Sequence, residues 1–466
     1  MEKPWLWAIS GAVLTILWML GDTSGLSWIE FPLDDGWIHL VYVRSIATVG
    51  WPEYNPGQAE TGMSSLLWVL INVPFYMIGQ VLQLSPAVMP KILSGTCAGL
   101  CAWRLYTVSD DVHTTWKWLL PLLLLLNPHW LFSAASGMEV TLTAFLWLQT
   151  LHTRNKPHAA FWCALSVLCR LESLFLWATL VLIGLVNRHS LRQIAMNLLL
   201  PIGLLSLWLV YNHGVSGHLL PATFAVKGQT ESIIRPDNIK SVVEYFWNHM
   251  GPIGLFSIGL GLTQLKSKHP QFTWAIYMLG LVGVMSITHT FSQSEYFYWS
   301  RYLHPILPVG VALCVPLLTS RFRSLLLLWV GWNLYTLPSV HQLFVANVED
   351  IHHMDTLVGQ KLQAQNQDGW IASTNAGSVR FHSNRPVIDI LGLNAHELAH
   401  DENPSQRLLE LLDINDVQTY LLFASEDSAR LVDFLNLELV EVIERPNLSL
   451  CECPSQKSLG IFKKKP

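Results

Sequence analysis

Charge is what this chain has least of. Asp, Glu, Lys and Arg make up 13% of its residues, about half the share usual in a soluble protein. Apolar runs of roughly 20 residues, the length needed to cross a bilayer, recur along it. Together these exclude an ordinary soluble enzyme and point to an integral membrane protein. The net charge of −5 excludes a basic nucleic-acid-binding surface. The chain has no Gly-rich phosphate loop, no zinc-finger spacing and no heptad repeat. Its 7 cysteines are too few and too scattered for a disulfide framework. Cys97, Cys101, Cys163, Cys169 and Cys314 lie in apolar stretches and are expected to pack as small hydrophobes. Cys451 and Cys453 form a C-x-C without the Cys or His quartet that zinc requires, so metal binding there is the lesser reading. The first apolar segment, Trp5 to Leu20, has no small-residue cleavage site, so it reads as a retained membrane helix and not a signal peptide.

What the chain does have is a series of about 11 candidate spans, near 5–21, 64–84, 88–107, 115–133, 138–152, 159–187, 192–212, 248–265, 271–290, 304–319 and 324–343. The stretch 159–187 fits one long helix or two short ones. The basic connectors "HTRNKPH", "NRHSLR", "KSKH" and "SRFR" read as cytoplasmic. The long connectors 22–63, 213–247 and 291–303, and everything after 343, then face outward. Strict alternation between 64 and 158 would put Arg154 and Lys156 outside; a re-entrant 64–84 with a split 159–187 restores them to the inside. The expected fold is therefore mainly α: a polytopic bundle over 1–343, followed by a small α/β domain over 344–466 outside the membrane. In that last part "GWIAST", "RPVIDILG", "VQTYLLFAS" and "LELVEVIE" read as strands, and "SEDSARLVDFLN" as a helix capped by its first serine.

The chemistry-bearing residues cluster in the outward segments. "FPLDDGWIHLVYVRSIATVG" places adjacent carboxylates, Asp34 and Asp35, just past the first span. A solvated loop is the plain reading. The amphipathic stretch that follows, with Trp, Tyr, His and Arg among aliphatics, suits a helix lying in the membrane interface, and Asp35 and His39 would share one of its faces. Paired carboxylates there can supply a general base for a hydroxyl nucleophile, or hold a divalent cation (Mg2+, Mn2+ or Ca2+) against a departing phosphate. The outward connectors supply sparse positive charge: Arg44, Lys227, Arg235, Lys240 and Arg301. Arg301, in "YFYWSRYLHPILP", is either functional or an interfacial anchor. Glu139 in "SGMEV" is either a site residue or a carboxylate favoured by a helix N-terminus. Arg170 and Glu172 in "LCRLESLFLW" either pair with each other or face a polar cavity, and both outcomes place them inside the bundle.

These stretches together resemble the GT-C glycosyltransferases, and most closely their arabinofuranosyltransferase-like branch, which includes the mycobacterial terminal arabinofuranosyltransferase. The first outer loop matches the family's Asp-Asp start, following Arg, and Asn-Pro-Gly…Glu…Ser-Ser segment through Asp34, Asp35, Arg44, Asn55, Pro56, Gly57, Glu60, Ser64 and Ser65. "SGMEV" is similar to its Ser-Gly-(Leu/Met)-Glu helix start. "CRLES" is similar to its Arg-Pro-Glu, with Leu171 in place of Pro. "SGHLLPATFAVKG" resembles its Gly-Asp-Leu-Leu-Pro-Asn-Thr…Lys loop, with His218 and Ala222 as departures. "SRYLHPILP" resembles its Arg-Tyr-Leu-x-Pro, and "NAGSVRFHSNRPVIDILGLNAHELAH" the start of its outer C-terminal domain.

The resemblance implies an inverting, multi-pass enzyme of the bacterial inner membrane, its active site and C-terminal domain periplasmic. The donor it implies is a polyprenyl-phosphate sugar, arabinofuranose on the closest branch. The acceptor would be an envelope glycan, a lipid or a pilin-like protein, and no nucleic acid would be involved. Asp34 is the expected base, with Asp35 supporting it or holding a metal. Arg301 and Lys227, with Tyr302 and His304 nearby, are expected on the donor phosphate; His39, Arg44, Glu60, Glu139, Arg170 and Glu172 complete the candidate substrate-binding set. The alternatives are a polytopic transporter of a lipid-linked or anionic substrate, a polysaccharide polymerase or ligase, and a non-catalytic assembly protein. Against the transporter, the spans show no internal repeat.

Overall fold

The structure, a computed structural model, describes residues 3–109, 115–228, 237–265, 272–287, 303–365, 368–447 and 457–465. The chain divides into two compact units and passes between them five times. One unit comprises 1–21, 90–208 and 230–342; the other 22–89, 209–229 and 343–466. The outer loop read from the sequence thus belongs to the same unit as the C-terminal segment.

The first unit is helical. Helix Pro4–Leu20 packs on Val88–Val108 through a small-residue seam in which a Cβ on Gly99 would meet the Trp7 carbonyl oxygen at 1.9 Å. Only glycine permits that backbone approach, a device common between membrane helices. Several expected spans are broken, each for a local reason. The 115–133 stretch is a turn plus helix ending at Leu125 and a second helix, Pro128–Ala135, bent by 57°. Pro128 supplies no N–H, and the Asn127 side chain caps the new start by accepting from Trp130 N–H at 3.0 Å. The 159–187 stretch is two helices, Ala159–Cys169 and Ser173–Val186, with Arg170 extended between them. The expected single helix at 304–319 is instead two 3₁₀ turns around the short helix Leu307–Ala312, because Pro305, Pro308 and Pro316 interrupt the ladder. Helix Asp237–Gln264 is broken at Gly251, which has φ +66°. Buried Trp130, Trp147, Trp274 and Trp329 sit in the core of this unit.

Among the described residues, the helix Leu191–Ser216 is long and apolar enough to cross a membrane, and the bent pair 115–135 passes the same test if taken as one span. Leu199, Leu207 and Val210 on the long helix are each 68% exposed. Withholding burial worth about 1.5–3 kcal/mol per large aliphatic side chain is unfavourable in water and natural in lipid.

The second unit holds a five-stranded mixed sheet. β1 (Glu53–Asn55) and β2 (Gln58–Ala59) make a separate hairpin in the outer loop, turned through Gly57 at φ +75°. The main sheet comprises β3 (Ile371–Ser373), β4 (Val387–Asp389), β5 (Thr419–Phe423), β6 (Leu437–Glu444) and β7 (Ser458–Lys464), in spatial order β4-β3-β5-β7-β6. β4 and β5 run parallel to β3; β7 is antiparallel to both its neighbours. Four of the five strands and the helix Glu426–Phe434, capped by Ser425 through Ser428 N–H, lie where the sequence places them. The edge of β4 is extended by the outer loop. Asn55 donates through Nδ2 to the Val387 carbonyl and accepts from Val387 N–H through Oδ1, at 3.0 and 2.9 Å, as another strand would.

Candidate active site

The two acids of the outer loop have different surroundings. Asp34 precedes the helix Asp35–Val49 and is buried. Its Oδ2 accepts from Gly377 N–H at 2.8 Å and its Oδ1 from Ser378 N–H at 2.7 Å. A Cβ on Gly377 would lie 2.3 Å from the Asp34 carbonyl oxygen, so glycine is required for this approach. Burial pushes the Asp34 carboxyl up to about 7, against the pull of the two N–H donors and with the help of the neighbouring Asp35 and Glu30 charges. Asp35, the first residue of the helix, is only partly buried. Asp34 is thus engaged as a backbone acceptor, and Asp35 is the more exposed residue of the two.

Two further acids that sequence reasoning passed over join them. Glu30 accepts from Phe31 N–H at 3.0 Å and from Thr356 Oγ1 at 2.5 Å, and it also bonds the Trp37 indole. Asp355, in the π-turn His352–Thr356, accepts from the Asn375 side chain, and burial raises its carboxyl well above the ordinary range. Glu30 directly precedes the singled-out stretch but lies outside its paired-acid motif, and the segment around Asp355 carries no motif.

Arg44 is turned to the C-terminal segment. It donates to the Phe381 carbonyl at 2.9 Å and lies over the Phe381 ring at 4.3 Å. Burial lowers its guanidinium below the usual value. Arg380 in turn donates to the Tyr54 carbonyl, and Tyr54 to that of Ala376, at 2.8 and 2.6 Å. Glu60 pairs with His396 Nδ1 at 2.8 Å, which raises the imidazole above its ordinary value. His218, the departure from the family loop, stacks on His400 with centroids 4.0 Å apart and planes 5° apart. The i, i+4 spacing of His396 and His400 in "HELAH" was the overlooked sequence signal. His39 is buried on its helix. Lys227 lies in the short helix Ala222–Gly228.

In the helical unit, three candidates come together. Arg170 donates through one amino group to Glu139 at 2.6 Å, and grips both oxygens of Glu172 at 3.2 and 3.0 Å. Both carboxylates occupy helix N-caps, where the dipole favours them. Of the two expectations for Arg170 and Glu172, the pair is the one observed, with Glu139 added. His304 is fully buried, 2.7 Å from Ser133 Oγ through Nδ1, and shares its pocket with His129 and His249. Arg301, Tyr302, Arg235, Cys451 and Cys453 lie outside the described residues.

With this geometry in hand, known proteins can be compared. The chain superposes on the crystal structure of ArnT from Cupriavidus metallidurans in the apo state with a TM-score of 0.62 and 11% identity, over 98% of this chain and 97% of that one. In fold it resembles the GT-C glycosyltransferases. A second likeness, to the Archaeoglobus fulgidus oligosaccharyltransferase in complex with zinc and sulfate, has a TM-score of 0.53 and 10% identity, over 92% of this chain and 69% of that one. A family model described as a domain of unknown function (DUF8728) matches residues 346–451. No curated protein matches in sequence. At these identities the likeness establishes the fold, mainly helical with a C-terminal mixed sheet, and leaves the arabinofuranosyltransferase branch as an expectation from the motifs alone.

Proposed function

We propose that the protein is a membrane-embedded glycosyltransferase that moves a sugar from a polyprenyl-phosphate donor to a hydroxyl of an envelope glycan, lipid or protein acceptor, at the outer face of the bacterial inner membrane. The observation that carries this reading is the likeness of fold to ArnT along nearly the whole of both chains. The six motifs in family order agree with it, and arabinofuranose is the sugar they favour.

The chemistry assigned to the outer loop changes in one respect. Asp35, and not Asp34, is the proposed general base. Asp34 has a backbone N–H on each oxygen, and ionisation in its site is disfavoured by burial and by neighbouring acids. Asp35 takes the acceptor's hydroxyl proton. The freed oxygen forms a bond to the anomeric carbon from the face opposite the phosphate, and the carbon–oxygen bond to the polyprenyl phosphate breaks, the phosphate leaving with the electron pair. Inversion follows from that geometry. Arg301 and Lys227 remain the proposed cations for the phosphate. A hard divalent cation bound through oxygen would help to neutralise that phosphate, but Asp34 is a poor fit as a ligand beside Asp35 because both its oxygens face N–H donors. No step is routed through a metal. Against the transport alternative, Arg170 is matched locally by Glu139 and Glu172 and does not offer an unpaired charge for a transported substrate.

The test is transfer from synthetic polyprenyl-phosphate sugars, an arabinofuranose among them, by the purified full-length protein, with envelope extracts as acceptor. Release of polyprenyl phosphate coupled to labelled acceptor supports the reading. Movement of intact donor across proteoliposomes without bond cleavage would favour transport and overturn it.

A further inference from the structure

Three histidines from distant parts of the helical unit meet in one buried pocket. His129 lies in the first turn of Pro128–Ala135, His249 two residues before the break at Gly251, and His304 opens the 3₁₀ turn His304–Ile306. They are 9%, 7% and 1% exposed, and one ring nitrogen from each lies within 4.8 Å of the other two. The rings of His129 and His249 are 3.9 Å apart at their centroids, and those of His249 and His304 are 4.9 Å apart.

The surrounding hydrogen bonds orient these rings. His249 Nδ1 donates to the Tyr245 carbonyl at 2.7 Å, which fixes its proton and leaves Nε2 as a lone pair with no hydrogen-bond partner. His129 bonds the Asn248 backbone, and its Nδ1 likewise has no hydrogen-bond partner. His304 is held through Nδ1 by Ser133 Oγ at 2.7 Å, which fixes the orientation of its ring. Asn127 ties two of the segments together by donating to the His249 carbonyl at 2.9 Å. Buried imidazole nitrogens with unused lone pairs are unfavourable in an apolar interior. Imidazoles whose other nitrogen is held by a carbonyl or hydroxyl are what a metal site requires.

We propose that His129, His249 and His304 form a site for a divalent transition metal of the zinc class. Three neutral imidazole nitrogens select zinc, cobalt or copper over magnesium and calcium, which prefer oxygen. Nitrogens on a tetrahedral zinc lie about 3.4 Å apart, so the site closes by roughly 1.4 Å at most, within reach of side-chain torsions. The set leaves a fourth position, which takes water or an anion to offset the ion's charge. The metal fastens three segments that are each interrupted, at Pro128, at Gly251 and at Pro305. The inference does not depend on the Asp35 chemistry, and its test reads metal binding and not sugar transfer.

Full-length protein in detergent is stripped with chelator and titrated with Co2+, followed by visible absorbance. The expected result is one Co2+ per chain with the intense bands of tetrahedral coordination, displaced by Zn2+. His249→Gln is expected to abolish those bands. Ser133→Ala removes only the hydroxyl behind His304 and is expected to weaken binding about 10–100-fold; it carries the test if His249→Gln does not fold. Absence of tetrahedral bands in the folded wild type, or unchanged bands and affinity in a folded His249→Gln or in Ser133→Ala, would overturn the proposal.

Discussion

Replacing Asp34 by Asn separates a structural role from a catalytic one. An asparagine keeps the shape of the side chain but offers one acceptor oxygen where the carboxylate offers two. Its amide N–H2 would face Gly377 N–H or Ser378 N–H, each now held at 2.7–2.8 Å by a carboxylate oxygen. Leaving a buried donor without an acceptor costs about 1–3 kcal/mol. For a cooperative unit of some 150–250 residues that corresponds to a fall in Tm of about 2–12 °C. The comparison is best made near pH 5.5, where the wild-type carboxyl, raised to about 7, is mostly protonated and free of the burden of a buried charge. The gap should narrow toward pH 8, because the wild type then holds an ionised carboxylate among Asp35 and Glu30. Asp35→Asn should show its main effect in turnover, lowered by about 10²–10⁴, the worth of a general base. The assays are thermal unfolding and transfer from a synthetic polyprenyl-phosphate sugar, run on the same preparations. An Asp34→Asn protein with wild-type Tm at pH 5.5 and turnover reduced by the full factor would refute the reasoning and return Asp34 to the role of base.

Other expectations follow from the same contacts. Asp34 at about 7 and Asp389 at about 6 both hold protons in the folded state that the unfolded chain gives up near 4. The unit that contains them should therefore lose stability as pH rises from about 4 to 7, with the raised Asp355 adding to the loss and His382, lowered to about 4 by burial, opposing it; a pH series of Tm values that rises across this window would contradict it. Gly377→Ala places a Cβ 2.3 Å from the Asp34 carbonyl oxygen and should cost about 1–3 kcal/mol; combined with Asp34→Asn, it should show less than additive loss in denaturant unfolding. Arg170→Ala strands two carboxylates, Glu139 itself being 2% exposed, and should cost about 3–5 kcal/mol. Arg170→Lys should recover only part of that, since an ammonium cannot grip both oxygens of Glu172; equal expression and unfolding of all three proteins would show the triad to be inert. A reporter fused after residue 466 should be active only outside the cytoplasm, and activity confined to the cytoplasm would invert the proposed topology.

What the sequence could determine alone was whatever depends on neighbours a few residues away. Ser425 caps its helix because an N-cap needs only a hydroxyl three residues before a free N–H, and the strands of the C-terminal sheet were readable from their β-branched, apolar runs. The exception, β7, hides in "SLGIFKK", where a glycine and two lysines mask the pattern. Arg170 and Glu172 could be placed inside the bundle because bare charges in apolar sequence have nowhere else to be paired; that Glu139 joins them was not readable, because it depended on a helix break at Arg170 that propensity alone does not place. Breaks at Pro128 and Pro305 were legible in principle and were overridden by the hydropathy of their flanks. The roles of Asp34 and Arg44 depended on tertiary contacts. Their partners, Gly377, Ser378 and Phe381, lie 337–344 residues along the chain, and a carboxylate that accepts two backbone N–H groups is indistinguishable in one dimension from one waiting for a substrate. The same holds for the histidine pocket, since His129, His249 and His304 share no spacing, and only the folding of three broken segments onto one another brings their nitrogens within 4.8 Å.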